Sequence, residues 1–150
     1  MTDHSFRMFE LAHQGFGCSQ ILAMVALEEQ GKSNSDLIRA MSGLLNGMAC
    51  GKTCGALTGA CCVLGLYAGK GKEQERFDDR LHGMLRDLVD WFESEYTGRY
   101  GSIECNQIVA NDSRLRLERC PQIVAATFAK IKEILEENGY RLSSAPEGVS

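Results

Sequence analysis

The 150-residue sequence is long enough for one globular domain with its own core, so it does not need disulfide bonds in order to fold. Apolar residues make up 44% and charged residues 24% of the chain, which is typical of a globular protein rather than a disordered or fibrous one. A net charge of -4 argues against a nucleic-acid partner, which normally requires a basic face.

Three helices are predicted in the first third of the chain, because the apolar residues there recur at helical spacing. The first places Phe6, Phe9 and His13 on one apolar face, where His13 is interpreted as a core residue rather than as a partner of the Cys18 thiolate. The second begins at Cys18 and closes at Gly31. The third follows a run of N-cap candidates at residues 33–36.

The stretch 44–68 holds one charge, Lys52, and is long enough to raise the question of a membrane span. Its glycines and polar residues make a buried loop followed by a fourth, core helix the better interpretation. Gly55 and Gly59 lie one turn apart in that helix and would let another backbone approach closely. The Gly-Lys-Thr sequence at 51–53 lacks the spacing and the preceding strand of a phosphate-binding loop.

The second half of the chain contains the clearest helix, with a continuous apolar face from Phe77 to Tyr96. A short helix then carries Cys105, and a last helix is predicted to start at Cys120, because Pro121 suits the first helical position. We therefore predict an all-α protein, a compact single-domain bundle of about six to seven helices. It occupies residues 1–140, with a flexible C-terminal tail over 141–150.

Seven cysteines are the unusual feature of this sequence. Its first residues lack the pattern of a secretory signal, so we expect a cytoplasmic protein, in which cysteines serve metal or redox chemistry more often than disulfide bonds. Four of them lie at predicted helix starts, where N–H groups and the helix dipole lower the pKa of a thiol. We expect these four to converge on one redox-active or metal-binding site. They are Cys18, Cys54, Cys105 and Cys120.

The remaining cysteines are weaker candidates. Cys50, on the glycine-rich loop four residues before Cys54, is the additional residue most expected to join the site. Cys61 and Cys62 fall in mid-helix, and Cys62 is interpreted as a core residue. No paired C-x2-C spacing is present, which disfavours a zinc ribbon or finger.

Four motifs in order resemble a known family. They lie at residues 15–20 (Gly-Phe-Gly-Cys-Ser-Gln), 54–59 (Cys-Gly-Ala-x-x-Gly) with 64–66, 99–105 (Arg-Tyr-Gly-Ser-x-x-Cys) and 120–121 (Cys-Pro). Between about residues 13 and 137 the chain resembles the C-GCAxxG-C-C family of redox-active proteins. The resemblance implies a helical bundle, a role in bacterial or archaeal redox metabolism, and four family cysteines at Cys18, Cys54, Cys105 and Cys120.

A similar domain occurs in split-Soret cytochromes, where an iron–sulfur centre has been associated with it. The present chain has no C-x-x-C-H motif, so the haem of those proteins does not carry over. It also departs from the family pattern by adding Cys50, Cys61 and Cys62. These extra thiols leave more than one ligand set open.

The first hypothesis is an electron carrier or redox sensor that holds an iron–sulfur cluster, [2Fe–2S], on the four cysteines. The alternatives are a metal-free thiol–disulfide protein using Cys50/Cys54 or Cys18/Cys120, a zinc-binding or metal-storing bundle, and a non-catalytic helical module. If the protein is an enzyme, we expect a thiol- or iron–sulfur-dependent oxidoreductase. We expect a redox partner protein, and we expect neither a nucleic-acid partner nor a membrane span. The sequence makes no prediction of the oligomeric state.

Overall fold

A computed structural model describes residues 4–144. Over that range the chain forms seven α-helices and no strand, which confirms the predicted all-α bundle. The helices are Ser5–His13 (α1), Cys18–Glu29 (α2), Ser35–Met41 (α3), Gly55–Ala68 (α4), Leu81–Tyr100 (α5), Cys105–Val109 (α6) and Ser113–Glu137 (α7). A 3₁₀ turn, Ser42–Leu44, and a short irregular turn, Gly47–Gly51, connect α3 to α4.

The two central helices, α2 and α4, are in close backbone contact. A β-carbon built on Gly59 would lie 2.8 Å from the Cα atom of Ser19, closer than any side chain tolerates. Ser19 is fully buried, and its hydroxyl donates to the carbonyl of Met41 at 2.8 Å, which attaches α3 to the same face. The close approach predicted at Gly59 is therefore confirmed.

The apolar stretch 44–68 divides into irregular turns and the buried helix α4. Most of α4 is buried, including Leu57, Leu64 and Tyr67. Between residues 4 and 144, no helix is long and apolar enough to cross a membrane.

The residues of α1 that pack against the bundle are not the ones predicted. Met8 and Leu11 are buried, whereas Phe6 is 72% and Phe9 is 62% exposed. His13 is exposed as well, and its ring contacts that of Phe9 at 5.2 Å between centroids. The inward face predicted for Phe6, Phe9 and His13 is wrong because Met8 and Leu11 share the same helical spacing and lie on the other side.

The long helix α5 begins later than its apolar pattern predicted. Its buried face runs from Leu81 to Tyr96, whereas Phe77 precedes the helix and is 62% exposed. Asp78 accepts a hydrogen bond from the backbone N–H of Arg80 at 2.8 Å, and this contact turns the chain before α5 starts.

The last helix begins well before Cys120, so the prediction that Cys120 lies at a helix start is wrong. Asp112 is the N-cap of α7, and its carboxylate accepts from the N–H of Arg114 at 2.8 Å. The polar residues that follow continue as helix, and Pro121 therefore lies in the helix interior. Because proline has no backbone N–H, the helical hydrogen bond to the carbonyl of Leu117 is missing.

We expect Pro121→Ala to stabilise the protein by about 1–3 kcal/mol, because proline in a helix interior is roughly 3 kcal/mol less favourable than alanine. Urea denaturation of the two proteins measures the difference. If α7 instead began at Cys120, the proline would occupy a favourable first position and alanine would give no gain. An unchanged or lower free energy of unfolding would therefore contradict the long α7.

The chain after α7 returns to the bundle. Leu142 is buried, and its carbonyl accepts from the hydroxyl of Tyr67 at 2.7 Å. The carbonyl of Ser144 accepts from the side-chain amide of Gln30, also at 2.7 Å. Two residues of the stretch predicted as a tail, Leu142 and Ser144, thus contact the bundle. Residues 145–150 lie outside the described residues, and for them the flexible tail stays a prediction.

Candidate cysteine site

A single β-bridge holds two of the predicted site cysteines next to each other. Thr53 and Glu104 pair in antiparallel orientation, and each directly precedes a cysteine. The backbone N–H of Cys54 donates across the bridge at 2.9 Å, and that of Cys105 donates at 2.5 Å. Cys54 is the N-cap of α4 and Cys105 is the first residue of α6. The bridge therefore joins the N-terminal ends of two helices that are far apart in sequence.

Cys18 reaches this bridge because α4 starts with glycine. Cys18 is the first residue of α2, as predicted. A β-carbon built on Gly55 would lie 2.8 Å from the Cys18 sulfur and 2.8 Å from the carbonyl oxygen of Leu44. The thiol therefore lies against bare backbone at the start of α4, where any larger residue would displace it.

Burial has the largest effect on the pKa of these thiols. It raises the pKa of Cys18 to about 11 and that of Cys54 to about 12, and it also raises the pKa of Cys120. The N–H groups of Ala56 and Leu57 lower the pKa of Cys54, but by less than burial raises it. The helix-start N–H groups therefore lower the pKa of Cys18 and Cys54 as predicted, but burial outweighs them and the expected thiolates do not result.

The four thiols interact electrostatically, as expected of side chains gathered at one place. After burial, a negative charge on Cys120 raises the pKa of Cys18, and charges on Cys18 and Cys120 raise that of Cys54. A charge on Cys105 acts in the same direction on Cys18 and Cys120. The structure thus brings together all four cysteines that the sequence singled out. Three come from helix starts, and Cys120 comes from the interior of α7.

Arg116 is a site residue that the sequence analysis missed. It lies one helical turn before Cys120, and its positive charge lowers the pKa of Cys120 against the larger effect of burial. Arg119, the cation adjacent to Cys120 in sequence, instead lies over the ring of Tyr100 at 4.6 Å and donates to the carbonyl of Ile108. The four-residue spacing could have identified Arg116, but only if α7 had been extended past Cys120 towards its N-terminus.

The other three cysteines are exposed or half-buried. Cys50 is exposed on the turn Gly47–Gly51, and its participation in the site stays a prediction. Cys62 is exposed rather than a core residue, so that interpretation is wrong. Cys61 is half-buried in α4, and burial, reinforced by the charge of Cys62, raises its pKa to about 11.

The four cysteine thiols are possible ligands for a metal ion or a metal cluster. Within residues 4–144, no three His, Cys, Asp or Glu side chains are positioned to hold a single metal ion. Four thiols are soft donors of the kind that bind zinc, copper(I) or iron–sulfur clusters. A [2Fe–2S] cluster shares four cysteines between two irons, so it does not need three donors around one point. The donor chemistry of the four cysteines therefore fits an iron–sulfur cluster.

A cavity of about 590 Å³ opens beside the cysteines, between α1, α2 and α7. Cys18 and Cys120 both line it, and most of its other lining residues are apolar. We call it the α1/α7 cavity. It gives a small molecule access to two of the four site cysteines.

Comparison with known proteins agrees with the motifs. The family model described as "Putative redox-active protein (C_GCAxxG_C_C)" matches residues 16–134, a range that includes all four site cysteines. No curated protein and no solved structure matches the chain. The family match covers most of the sequence and confirms the resemblance seen in its motifs. The chain therefore belongs to the C_GCAxxG_C_C family of redox-active proteins.

Proposed function

We propose that the protein is an electron carrier or redox sensor that holds an iron–sulfur cluster on Cys18, Cys54, Cys105 and Cys120. Membership of a redox-active family supports the redox role in general terms. The observation that carries the proposal is the gathering of these four thiols within electrostatic range of one another. Four cysteines are the ligand set that a [2Fe–2S] cluster requires.

The metal-free alternative has less support from the electrostatics. Thiol–disulfide exchange begins with attack by a thiolate. Burial raises the pKa of Cys18, Cys54 and Cys120, which leaves few thiolates at these three positions at neutral pH. Iron can replace the proton of a buried thiol, because the metal compensates for the charge of the sulfur. The same burial that suppresses a nucleophile is therefore compatible with a metal ligand.

The zinc alternative meets a geometric difficulty. A structural zinc ion takes four ligands in a tetrahedron around one point. In the described part of the chain, no three suitable side chains surround one point. A cluster with two metal atoms does not require three donors around one point.

The protein residues around the thiols have clear roles in this proposal. A bound cluster would supply one-electron transfer. The N–H groups of Ala56 and Leu57 favour the charged sulfur of Cys54, and Arg116 favours that of Cys120. Such N–H groups and positive charges raise the reduction potential of a cluster. Burial of Cys54 and Cys105 keeps water from that side of the site.

The decisive experiment is anaerobic expression and purification, followed by visible absorption and metal analysis. We expect a brown protein that contains iron and acid-labile sulfide in equal amounts, with absorption that is bleached by dithionite. Colourless protein with a titratable disulfide bond would support the thiol–disulfide alternative and contradict the proposal. Zinc without sulfide, unaffected by reductant, would contradict it in favour of a zinc bundle.

A further inference from the structure

The α1/α7 cavity has a size and a lining that are typical of small-molecule sites. Its volume of about 590 Å³ lies within the roughly 300–1,000 Å³ of ligand pockets, which are mostly apolar with a few polar groups. Phe9 and Leu117 line the cavity although they are 62% and 77% exposed. Contiguous exposed apolar surface at a groove, unlike single scattered apolar residues, marks a ligand or partner site.

The charge of the cavity has one sign. Arg116 is the sole charged residue among its described lining residues. No carboxylate between residues 4 and 144 forms an ion pair with it. Its recorded hydrogen bond, to the side-chain oxygen of Asn46, uses one of the five donors that a guanidinium carries. The cavity is therefore apolar with a single cation on its wall.

We propose that the α1/α7 cavity binds a small organic anion with an apolar body. A carboxylate group would pair with Arg116, and the apolar body would lie along Phe9 and Leu117. A guanidinium group suits a carboxylate because its N–H donors match the two oxygens. The bound molecule would contact Cys18 and Cys120, so it would occupy the side of the cysteine site that opens to solvent.

Charge complementarity selects this class of ligand over its neutral and cationic counterparts. A cation with the same apolar body would be repelled by Arg116, and no carboxylate lines the described cavity to compensate. A neutral molecule would gain the apolar contacts without the ion pair. The proposal goes beyond the bound cluster, because it concerns the cavity wall and holds whether or not iron is present.

Isothermal titration calorimetry with three probes of equal chain length tests the proposal. The probes are octanoate, octanol and octylammonium, each titrated into the 150-residue protein with and without iron. We expect octanoate to bind most tightly and octylammonium most weakly. In Arg116→Met, octanoate should bind about tenfold more weakly, equivalent to roughly 1.4 kcal/mol, while octanol is unaffected. Arg114→Met, a change on an exposed residue of the same helix outside the cavity, should leave all three unchanged.

A second variant tests the position of the ligand. Ala12→Phe adds a ring at a lining residue that is exposed, so folding should be preserved while octanoate binding is lost. Equal affinities for the three probes, or no binding of any, would overturn the proposal. Self-association that Leu117→Glu abolishes, without octanoate binding, would assign the surface to a second copy of the chain instead. Because the readout is heat of binding, failure to find iron would not affect this test.

Discussion

Replacing Cys120 with alanine is expected to abolish iron binding, whereas replacing Cys62 is expected to leave it unchanged. Cys120 lies within electrostatic range of Cys18, Cys54 and Cys105, and a cluster that loses one of four ligands is not retained. Cys62 is exposed on α4, outside that group. Both variants lose one sulfur atom, so a difference between them reports on position rather than on the total number of thiols.

Iron and acid-labile sulfide are measured after anaerobic reconstitution of each variant. Circular dichroism shows whether Cys120→Ala remains folded, which separates loss of the ligand from loss of the bundle. Equal iron content in the two variants would contradict the proposed ligand set. Cys50→Ala extends the comparison, because unchanged iron in that variant would remove Cys50 from the set of candidates.

The helical bundle could be predicted because its signals are local. Cys18 and Gly31 bound α2 in the sequence, and the N-cap of α3 at Asn34 accepts from Leu37 at 3.0 Å. Apolar spacing does not identify the buried face of a helix when two faces both carry apolar residues at helical spacing. In α1 the predicted face contains Phe6 and Phe9, yet Met8 and Leu11 are the buried residues. Which face turns inward depends on the packing of α1 against α2 and α7.

The start of α7 was mispredicted because two local signals compete. Pro121 is a good first residue of a helix, and Asp112 is a good N-cap. The cost of an interior proline is offset here by a longer helix, and by hydrogen bonds such as that of Asp112 with Arg114. Residue types alone do not say which signal prevails. The error also hid Arg116 from the candidate site.

The four cysteines that the sequence singles out lie together, but the reason for which the sequence singles them out holds only in part. Helix starts were expected to produce thiolates, but burial dominates the pKa of Cys18 and Cys54. What gathers the thiols is tertiary structure: the bridge between Thr53 and Glu104, and the glycine at the start of α4. The bridge leaves no periodic pattern in the sequence. Gly55, in contrast, is recognisable in the sequence, because it lies one helical turn before Gly59.

Gly55→Ala is expected to lower the free energy of unfolding by about 1–3 kcal/mol, the usual cost of overpacking a close contact. The new β-carbon would lie 2.8 Å from both the Cys18 sulfur and the Leu44 carbonyl oxygen. The sulfur can rotate, but the carbonyl belongs to the backbone, so α4 must shift. Because the shift also displaces Cys18 from its neighbours, we expect the variant to bind less iron.

Gly65→Ala is the matched control in the same helix. A β-carbon at Gly65 meets no atom within 4 Å, so the substitution should stabilise α4 by roughly 0.5–1 kcal/mol through helix propensity. Urea denaturation of the iron-free proteins measures both effects, and iron content after reconstitution measures the second consequence. If Gly55→Ala also stabilised the protein, the close contact with Leu44 would be contradicted. If Gly55→Ala destabilised the protein but bound as much iron as the original protein, the contact of Cys18 with Gly55 would not be required for iron binding.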